Sequence, residues 1–298
     1  MNVLVTGASG LIGSALVSSL ETGGQIVSRL VRSAPAREGE YRWDPGAGDV
    51  DPRALEGLDA VVHLAGESVA GRWTGAKKER ILRSRVDGTR TLSEAIAKLE
   101  RPPRVLVCAS AIGFYGDRGD EQLTEESAPG DGFLAEVVEQ WEAASRPAED
   151  AGIRVVRLRF GIVLSPAGGA LKTMLIPFRL GLGGRLGTGR QWVSWVSIDD
   201  VVGAIRHALV TGDLAGVANT VAPNPVTNAE LTKTLGRVLH RPTLFPVPAP
   251  AMRLALGEFG QDVLASARVV PRRLSETGYE FRHVELEQAL RHVLGRDA

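Results

Sequence analysis

A chain of 298 residues, 44% hydrophobic and 23% charged, is long enough for one large core or for a domain with a smaller lobe. Its 35 Lys and Arg balance its 35 Asp and Glu, so a formal net charge of +0 offers no footprint for nucleic acid or an anionic membrane. No run approaches the ~20 apolar residues of a membrane span, and a single cysteine excludes an internal disulfide, so a cytoplasmic-type protein is expected.

The apolar run Val3-Leu4-Val5 predicts a buried strand that opens into Thr6-Gly7-Ala8-Ser9-Gly10-Leu11-Ile12-Gly13. Leu16, Val17 and Leu20 then carry a helix pattern. A glycine-rich turn between strand and helix is pyrophosphate-binding geometry. Gly7 and Gly10 admit unusual torsions and close approach, and the helix from Leu11 aims unpaired N–H groups at the phosphates. Gly13 lets that helix pack tightly on the strand. In this context Thr6, Gly7, Ser9, Gly10, Leu11, Ile12 and Gly13 are expected to form a dinucleotide site.

The second strand, Ile26 to Val31, leads into Arg32-Ser33-Ala34-Pro35, with no Asp or Glu between Gln25 and Arg37. An acidic residue there holds the 2′-OH of NAD, whereas an arginine favours the 2′-phosphate of NADP. Arg32 can grip a phosphate bidentately and Ser33 can add a hydrogen bond, which predicts NADP, with NADPH preferred over NADH. The alternative is that Arg32 is an ordinary solvated residue. Ala60 to Ala65 reads as another strand, and Leu64-Ala65-Gly66 at its tip is a small-residue turn where the cofactor would pass close to backbone, although packing alone also explains it.

An amphipathic segment from about 75 to 99 precedes the strand Val105 to Ala109, in which Cys108 reads as a small buried hydrophobe. Phe133 to Ala151 reads as one helix, with Asp131 as its N-cap and Gly152 as its stop, and Arg154 to Phe160 is the next strand. This β-α-β alternation of apolar strands predicts an α/β Rossmann fold, a doubly wound parallel sheet. Past Ser165 glycines crowd a loop-rich region, Asp199-Asp200 reads as an N-cap pair before a helix from Val201 to Val210, and Pro223 to Pro250 separate short helices. The expected division is residues 1–165 with about 190–222 as the NADP-binding domain, and about 166–189 with 223–298 as a smaller C-terminal, substrate-side lobe.

Asp59-Ala60-Val61-Val62-His63-Leu64-Ala65-Gly66, Arg85-Val86-Asp87-Gly88-Thr89 and Ser110-Ala111-Ile112-Gly113-Phe114-Tyr115-Gly116, with the opening turn, resemble the extended, epimerase/dehydratase-like branch of the short-chain dehydrogenases/reductases. Gly116-Asp117-Arg118-Gly119, Gly189-Arg190-Gln191-Trp192-Val193-Ser194-Trp195 and Ala265-Ser266-Ala267-Arg268-Val269-Val270-Pro271-Arg272-Arg273-Leu274 are similar to an atypical subgroup, the epimerase family proteins, which carry a C-terminal module of unknown function. The resemblance covers essentially the whole chain. It implies an NADP(H)-binding fold, whose strand carboxyl ends would bring Ser110 and Phe160 to the cofactor crevice, with Arg85 a further cofactor candidate. It also admits a homodimer through the 75–99 and 133–151 segments.

The family's Tyr-x-x-x-Lys pair places an acid/base and its lysine on one helix face. Here Tyr41, Tyr115 and Tyr279 are followed four residues on by Pro45, Gly119 and His283, and the resemblance puts Phe133 and Val137 at the two catalytic positions. Arg85 stands where an asparagine is usual, either binding cofactor or substrate or pairing on the surface. Ser110 and Tyr115 are the remaining catalytic candidates, Ser110 as a hydroxyl beside the nicotinamide and Tyr115 as a proton donor or cleft residue. His63 reads as a core histidine, Trp192 and Trp195 as either ligand-stacking or lobe anchors, and no metal-ligand cluster is apparent. Two functions compete: an NADP-dependent oxidoreductase or epimerase on an unidentified small molecule, and a non-catalytic NADP(H)-binding sensor or regulatory protein.

Overall fold

The structure, a computed structural model, describes residues 1–296. β1 (Asn2–Thr6), α1 (Leu11–Thr22) and β2 (Ile26–Val31) open the chain, and β3 (Glu40–Asp44) and β4 (Asp49–Val50) form an edge hairpin. Then come β5 (Ala60–His63), α2 (Gly75–Ala97), β6 (Val105–Ala111), β7 (Gln122–Leu123), α3 (Phe133–Ala143), α4 (Arg146–Asp150) and β8 (Arg154–Phe160). β9 (Ile162–Leu164), α5 (Gly169–Arg179), β10 (Trp192–Val193), β11 (Trp195–Ser197), α6 (Ile198–Val210) and β12 (Gly216–Thr220) follow. β13 (Val226–Thr227), α7 (Asn228–Leu239), α8 (Ala249–Leu256), α9 (Phe259–Leu264), β14 (Arg268–Val269), α10 (Arg272–Glu276) and α11 (Leu286–Val293) complete it.

Eight strands make the main sheet in the order β12-β8-β6-β5-β1-β2-β3-β4. Every pairing is parallel except β3 with β4, as the Rossmann reading requires. The chain leaves β1 on one side for β2 and returns on the other at β5, so the crevice at their carboxyl ends is the switch point where such sheets take ligands. Val3, Val5, Leu16, Leu20, Val156 and Leu158 join Val201 and Ile205 of α6 in one core, while Leu4, Val61, Leu106 and Cys108 face Leu92 and Ile96 of α2 in another. Burial pushes the Cys108 thiol up to about 12, consistent with an inert core residue.

A smaller cluster joins Leu171 and Leu175 of α5, Trp195, Leu231 and Leu235 of α7, and Leu290 of α11. Ala267, Val269, Leu274 and Phe281, which the proline pattern groups with this lobe, pack instead into the principal core. The expected 133–151 helix is broken between Ala143 and Arg146, where Pro147 enters α4 in the first turn, the place that tolerates a missing N–H. Its N-cap is Gly132 at φ 102 rather than Asp131, and α6 is capped by the Ser197 side chain accepting from the Asp200 amide rather than by Asp199-Asp200. β3, β4 and β12 carry little apolar patterning in their sequences and were not expected. No helix among the described residues is long and apolar enough to cross a membrane.

Gly13 fits for a steric reason: a Cβ there would stand 2.1 Å from the Gly7 carbonyl oxygen and 2.8 Å from Ala8 Cα. Both obstacles are backbone, so α1 must back away from the turn. Gly13→Ala is expected to lower stability by ~1–3 kcal/mol, read by equilibrium denaturation; an unchanged midpoint would contradict this close approach.

Candidate functional site

Gly7 takes φ +66, and a Cβ there would meet Leu64 C and O at 2.7 Å, so the first turn lies directly on the exit of β5. The Thr6 hydroxyl accepts from the amides of Leu64 (3.1 Å) and Ala65 (3.2 Å) and contacts His63 Nδ1 at 2.7 Å. With two amides on its oxygen, the hydroxyl hydrogen goes to Nδ1, which assigns the His63 proton to Nε2. Burial pulls His63 down to about 4, keeping it neutral. The Thr6 side chain, expected at the cofactor, thus braces the adjoining loop from a fully buried position. Beyond it, Ser9 and Gly10 are exposed, and α1, with Gly10 as its N-cap, has neither a side-chain cap nor an acidic residue in its first turn. Its leading amides remain open to an anion.

At the end of β2, Arg32, Glu67, Glu79, Arg80, Arg83 and Ser84 line a pocket of about 390 Å³. Lys77 pairs with Glu67 at 2.6 Å and holds that carboxyl below the usual carboxylate range, while Glu79 pairs with Arg83 at 2.8 Å. Among the described residues Arg32 and Arg80 have no ion-pair partner, so two guanidinium groups share the pocket without a dedicated counter-charge. Arg80 was not expected from sequence; the signal was its position on the first turns of a helix whose start follows the Leu64-Ala65-Gly66 turn. Ser33 is exposed beside Arg32.

Arg85 is not a surface ion pair. Its Nη1 donates to the carbonyls of Glu67 (2.9 Å) and Ile81 (3.2 Å), and its guanidinium lies 5.0 Å from the Trp141 ring centroid. Burial lowers its pKa to about 10. It holds the loop after β5 on α2, directly beneath Gly66, whose added Cβ would be 3.5 Å from Arg85 Cζ.

The two hydroxyls expected to face a cleft do not. Ser110, 3% exposed, donates to Glu142 Oε1 at 2.6 Å. The same carboxylate receives Nε and Nη2 of Arg159, each at 2.7 Å. Arg159 Nη1 donates to the Tyr115 hydroxyl at 3.0 Å, and Tyr115 donates to Asn219 Oδ1 at 2.7 Å. Tyr115 is 0% exposed, and burial raises its pKa above the ordinary phenol value. It sits in the core rather than lining a cleft, and the Ser110 hydroxyl likewise donates to Glu142. Phe160 is also buried in the principal core. Sequence reasoning missed Glu142 and Arg159 because neither stands in a recognised string.

Where the resemblance puts the catalytic tyrosine, Phe133 meets Trp73 with ring centroids 5.0 Å apart, and Trp73 meets Phe259 of α9 at 5.5 Å. Lys78 Nζ stands 4.7 Å from the Phe133 centroid and pairs with Glu258, while Val137 is buried. Asp262, one turn beyond Phe259, is pushed up to about 6 by burial, with Glu258 adding to the rise and Lys78 opposing it. Trp195 is a core residue, its Nε1 donating to the Asn224 carbonyl, and Trp192 anchors to Asp120. No group of His, Cys, Asp and Glu among the described residues could hold a metal ion.

Residues 3–220 match the NAD dependent epimerase/dehydratase family, and residues 247–293 match a domain of unknown function (DUF1731). An epimerase family protein of Mycobacterium bovis is 44% identical over 296 residues, covering 99% of this chain and 98% of its own. The crystal structure of the human epimerase family protein SDR39U1 with NADPH is similar at a TM-score of 0.91 and 36% identity, over 99% of each chain. A protein of Corynebacterium glutamicum described as a nucleoside-diphosphate sugar epimerase reaches a TM-score of 0.83 at 40% identity, over 99% of this chain and 58% of its own.

Tyr115→Phe leaves Arg159 Nη1 and Asn219 Oδ1 unpaired in the interior, so a loss of ~1–3 kcal/mol is expected in urea denaturation. Unchanged stability would show that the hydroxyl is dispensable to this network. Asp262 has a folded pKa of about 6 against an ordinary 3.8, so its neutral form favours the folded state. That contribution is complete below about pH 4 and is lost as pH rises through about 6. Relative to the native protein, Asp262→Asn is therefore expected to gain about 1 kcal/mol near pH 8, discounted for the carboxyl's remaining solvent contact, and nothing near pH 3.5. A gain that is the same at both pH values would contradict the burial of this carboxyl.

Proposed function

The chain belongs to the NAD dependent epimerase/dehydratase family, and on that premise we propose that it binds NADP(H) and acts as an oxidoreductase or epimerase on a small molecule. The observation that carries this reading is the uncapped start of α1, which faces the switch-point crevice with no acidic residue in its first turn. The cradle fits a dinucleotide: Gly7 and Gly13 allow no Cβ, and the exposed Ser9 and Gly10 leave the approach open. Arg32 and Arg80 supply two positive charges where the 2′-phosphate would lie. The human relative crystallised with NADPH supports the same choice.

The nicotinamide, when bound, supplies or accepts hydride. The chain's own part is to position it: α1 amides for the pyrophosphate, the Leu64-Ala65-Gly66 turn along its edge, and Arg85 holding that turn in place. Proton transfer falls to neither Ser110 nor Tyr115, because both hydroxyls are engaged internally. That engagement favours a second reading, in which NADP(H) occupancy is sensed without turnover.

Titration by nicotinamide fluorescence is expected to show NADPH binding at least about tenfold tighter than NADH, with the advantage largely lost in Arg32→Ala. Equal affinity for the two nucleotides in the unmodified protein would remove the 2′-phosphate reading. NADPH consumption across a panel of aldehydes and ketones separates the two functions: turnover supports the enzyme, whereas tight NADPH binding with no turnover across the panel favours the sensor.

A further inference from the structure

The three strings that carry the subgroup resemblance meet in space at Ser266. Its Oγ donates to the Gly119 carbonyl (2.6 Å) and accepts from the Trp192 amide (3.0 Å), its N–H donates to Asp117 Oδ1 (3.1 Å), and its carbonyl accepts from the Arg118 amide (2.8 Å). A few residues on, Ser194 Oγ donates to the Ala267 carbonyl (2.7 Å) and accepts from the Val269 amide (2.9 Å). Arg268 is thus clamped on both sides, in a strand paired with Gln122. Ala267 and Val269 face the principal core, so strand alternation turns Arg268 the other way.

Arg268 lies with its guanidinium carbon 4.5 Å from the centroid of Trp192, whose Nε1 donates to Asp120 Oδ1 at 2.9 Å. Its Nε is buried and has no hydrogen-bond partner. Among the described residues nothing accepts from this guanidinium and no carboxylate pairs with it. Arg154, Arg157 and Arg159 behave differently: each gives its side chain to carbonyls, hydroxyls or carboxylates. A guanidinium whose backbone is this firmly held, with a buried N–H unpaired, lacks an acceptor that the chain itself does not provide. The segment that clamps Arg268 lies beside the carboxyl end of a sheet strand, the side on which such sheets take ligands. Gly161 follows the carboxyl end of β8 and abuts Ser194, where an added Cβ would be 2.4 Å from the Ser194 oxygen.

We propose that Arg268, braced on Trp192, is an oxyanion subsite that takes a carboxylate or phosphate of the small-molecule ligand, distinct from the cofactor phosphates at α1 and Arg32. The planar fork suits either anion, and the indole beneath it fixes the fork's plane. The inference rests on the reading of the protein as a small-molecule binder and is independent of which nucleotide it prefers.

The test follows the Trp192 indole N–H, assigned by its loss in Trp192→Phe, in nitrogen-15 spectra of the full chain titrated with malonate and with inorganic phosphate. A saturable shift is expected in the unmodified protein and in Arg32→Ala, with affinity at least about tenfold weaker in Arg268→Gln and intermediate in Arg268→Lys. A stronger response to malonate assigns a carboxylate, and a stronger response to phosphate assigns a phosphate. No saturable shift with either anion, an undiminished response in Arg268→Gln, or loss of the response in Arg32→Ala would overturn the proposal. NADPH affinity measured on Arg268→Gln keeps the two readings apart, since it should equal that of the unmodified protein.

Discussion

The bidentate pair between Glu142 and Arg159 governs how the middle of this protein is built. β8 places Arg157 and Arg159 on one face of a central strand, while Val156, Leu158 and Phe160 fill the principal core from the other. A lone guanidinium at Arg159 would be untenable, and removing one partner of such a pair costs about 3–5 kcal/mol. Glu142 is therefore fixed, and α3 with it. The β6–β8 register puts Ser110 beside Arg159, so its hydroxyl falls to the same carboxylate, and Tyr115 fills the remaining guanidinium donor. From there Asn219 passes the network to Glu125, whose carboxylate also accepts from the Arg273 amide. These side chains tie sheet, helix and C-terminal segment together.

This explains which parts of the site were legible in the sequence. The turn from Thr6 to Gly13 could be read because its function is its backbone: glycines dictate torsion and clearance wherever the rest of the chain goes. Arg32 was legible because its place at the end of β2 is set by topology. Tyr115 was misread because a string cannot say whether a side chain after a strand turns into a crevice or into the core, and the partner that decides it, Arg159, lies 44 positions away on β8. Asp262 and Arg80 were missed because their significance comes from neighbours distant in sequence. In the fold, apolar runs revealed the buried strands, whereas β3 (Glu-Tyr-Arg-Trp-Asp) and β12 (Gly-Val-Ala-Asn-Thr) owe their existence to the parallel partners they pair with.

Phe133, Trp73 and Phe259 close an aromatic contact between α3, the loop before α2 and α9. The charged groups gather at its rim, with Lys78 over Phe133 and Glu258 beside it. The C-terminal segment is thereby packed against α3 and the loop before α2 rather than hanging as an appendage, which accords with the way Ser266 ties three separate stretches of chain together.

The contribution of Val269 and Leu274 to the principal core also bears on how the protein is made. By Thr220 every strand of the main sheet has been synthesised, yet the face packed on β12 stays incomplete until α10 emerges from the ribosome. Domains usually fold as units as they leave the ribosome. Here one core draws on both the stretch matched at 3–220 and the stretch matched at 247–293, so the packing around β12 closes only once Val269 and Leu274 have been made.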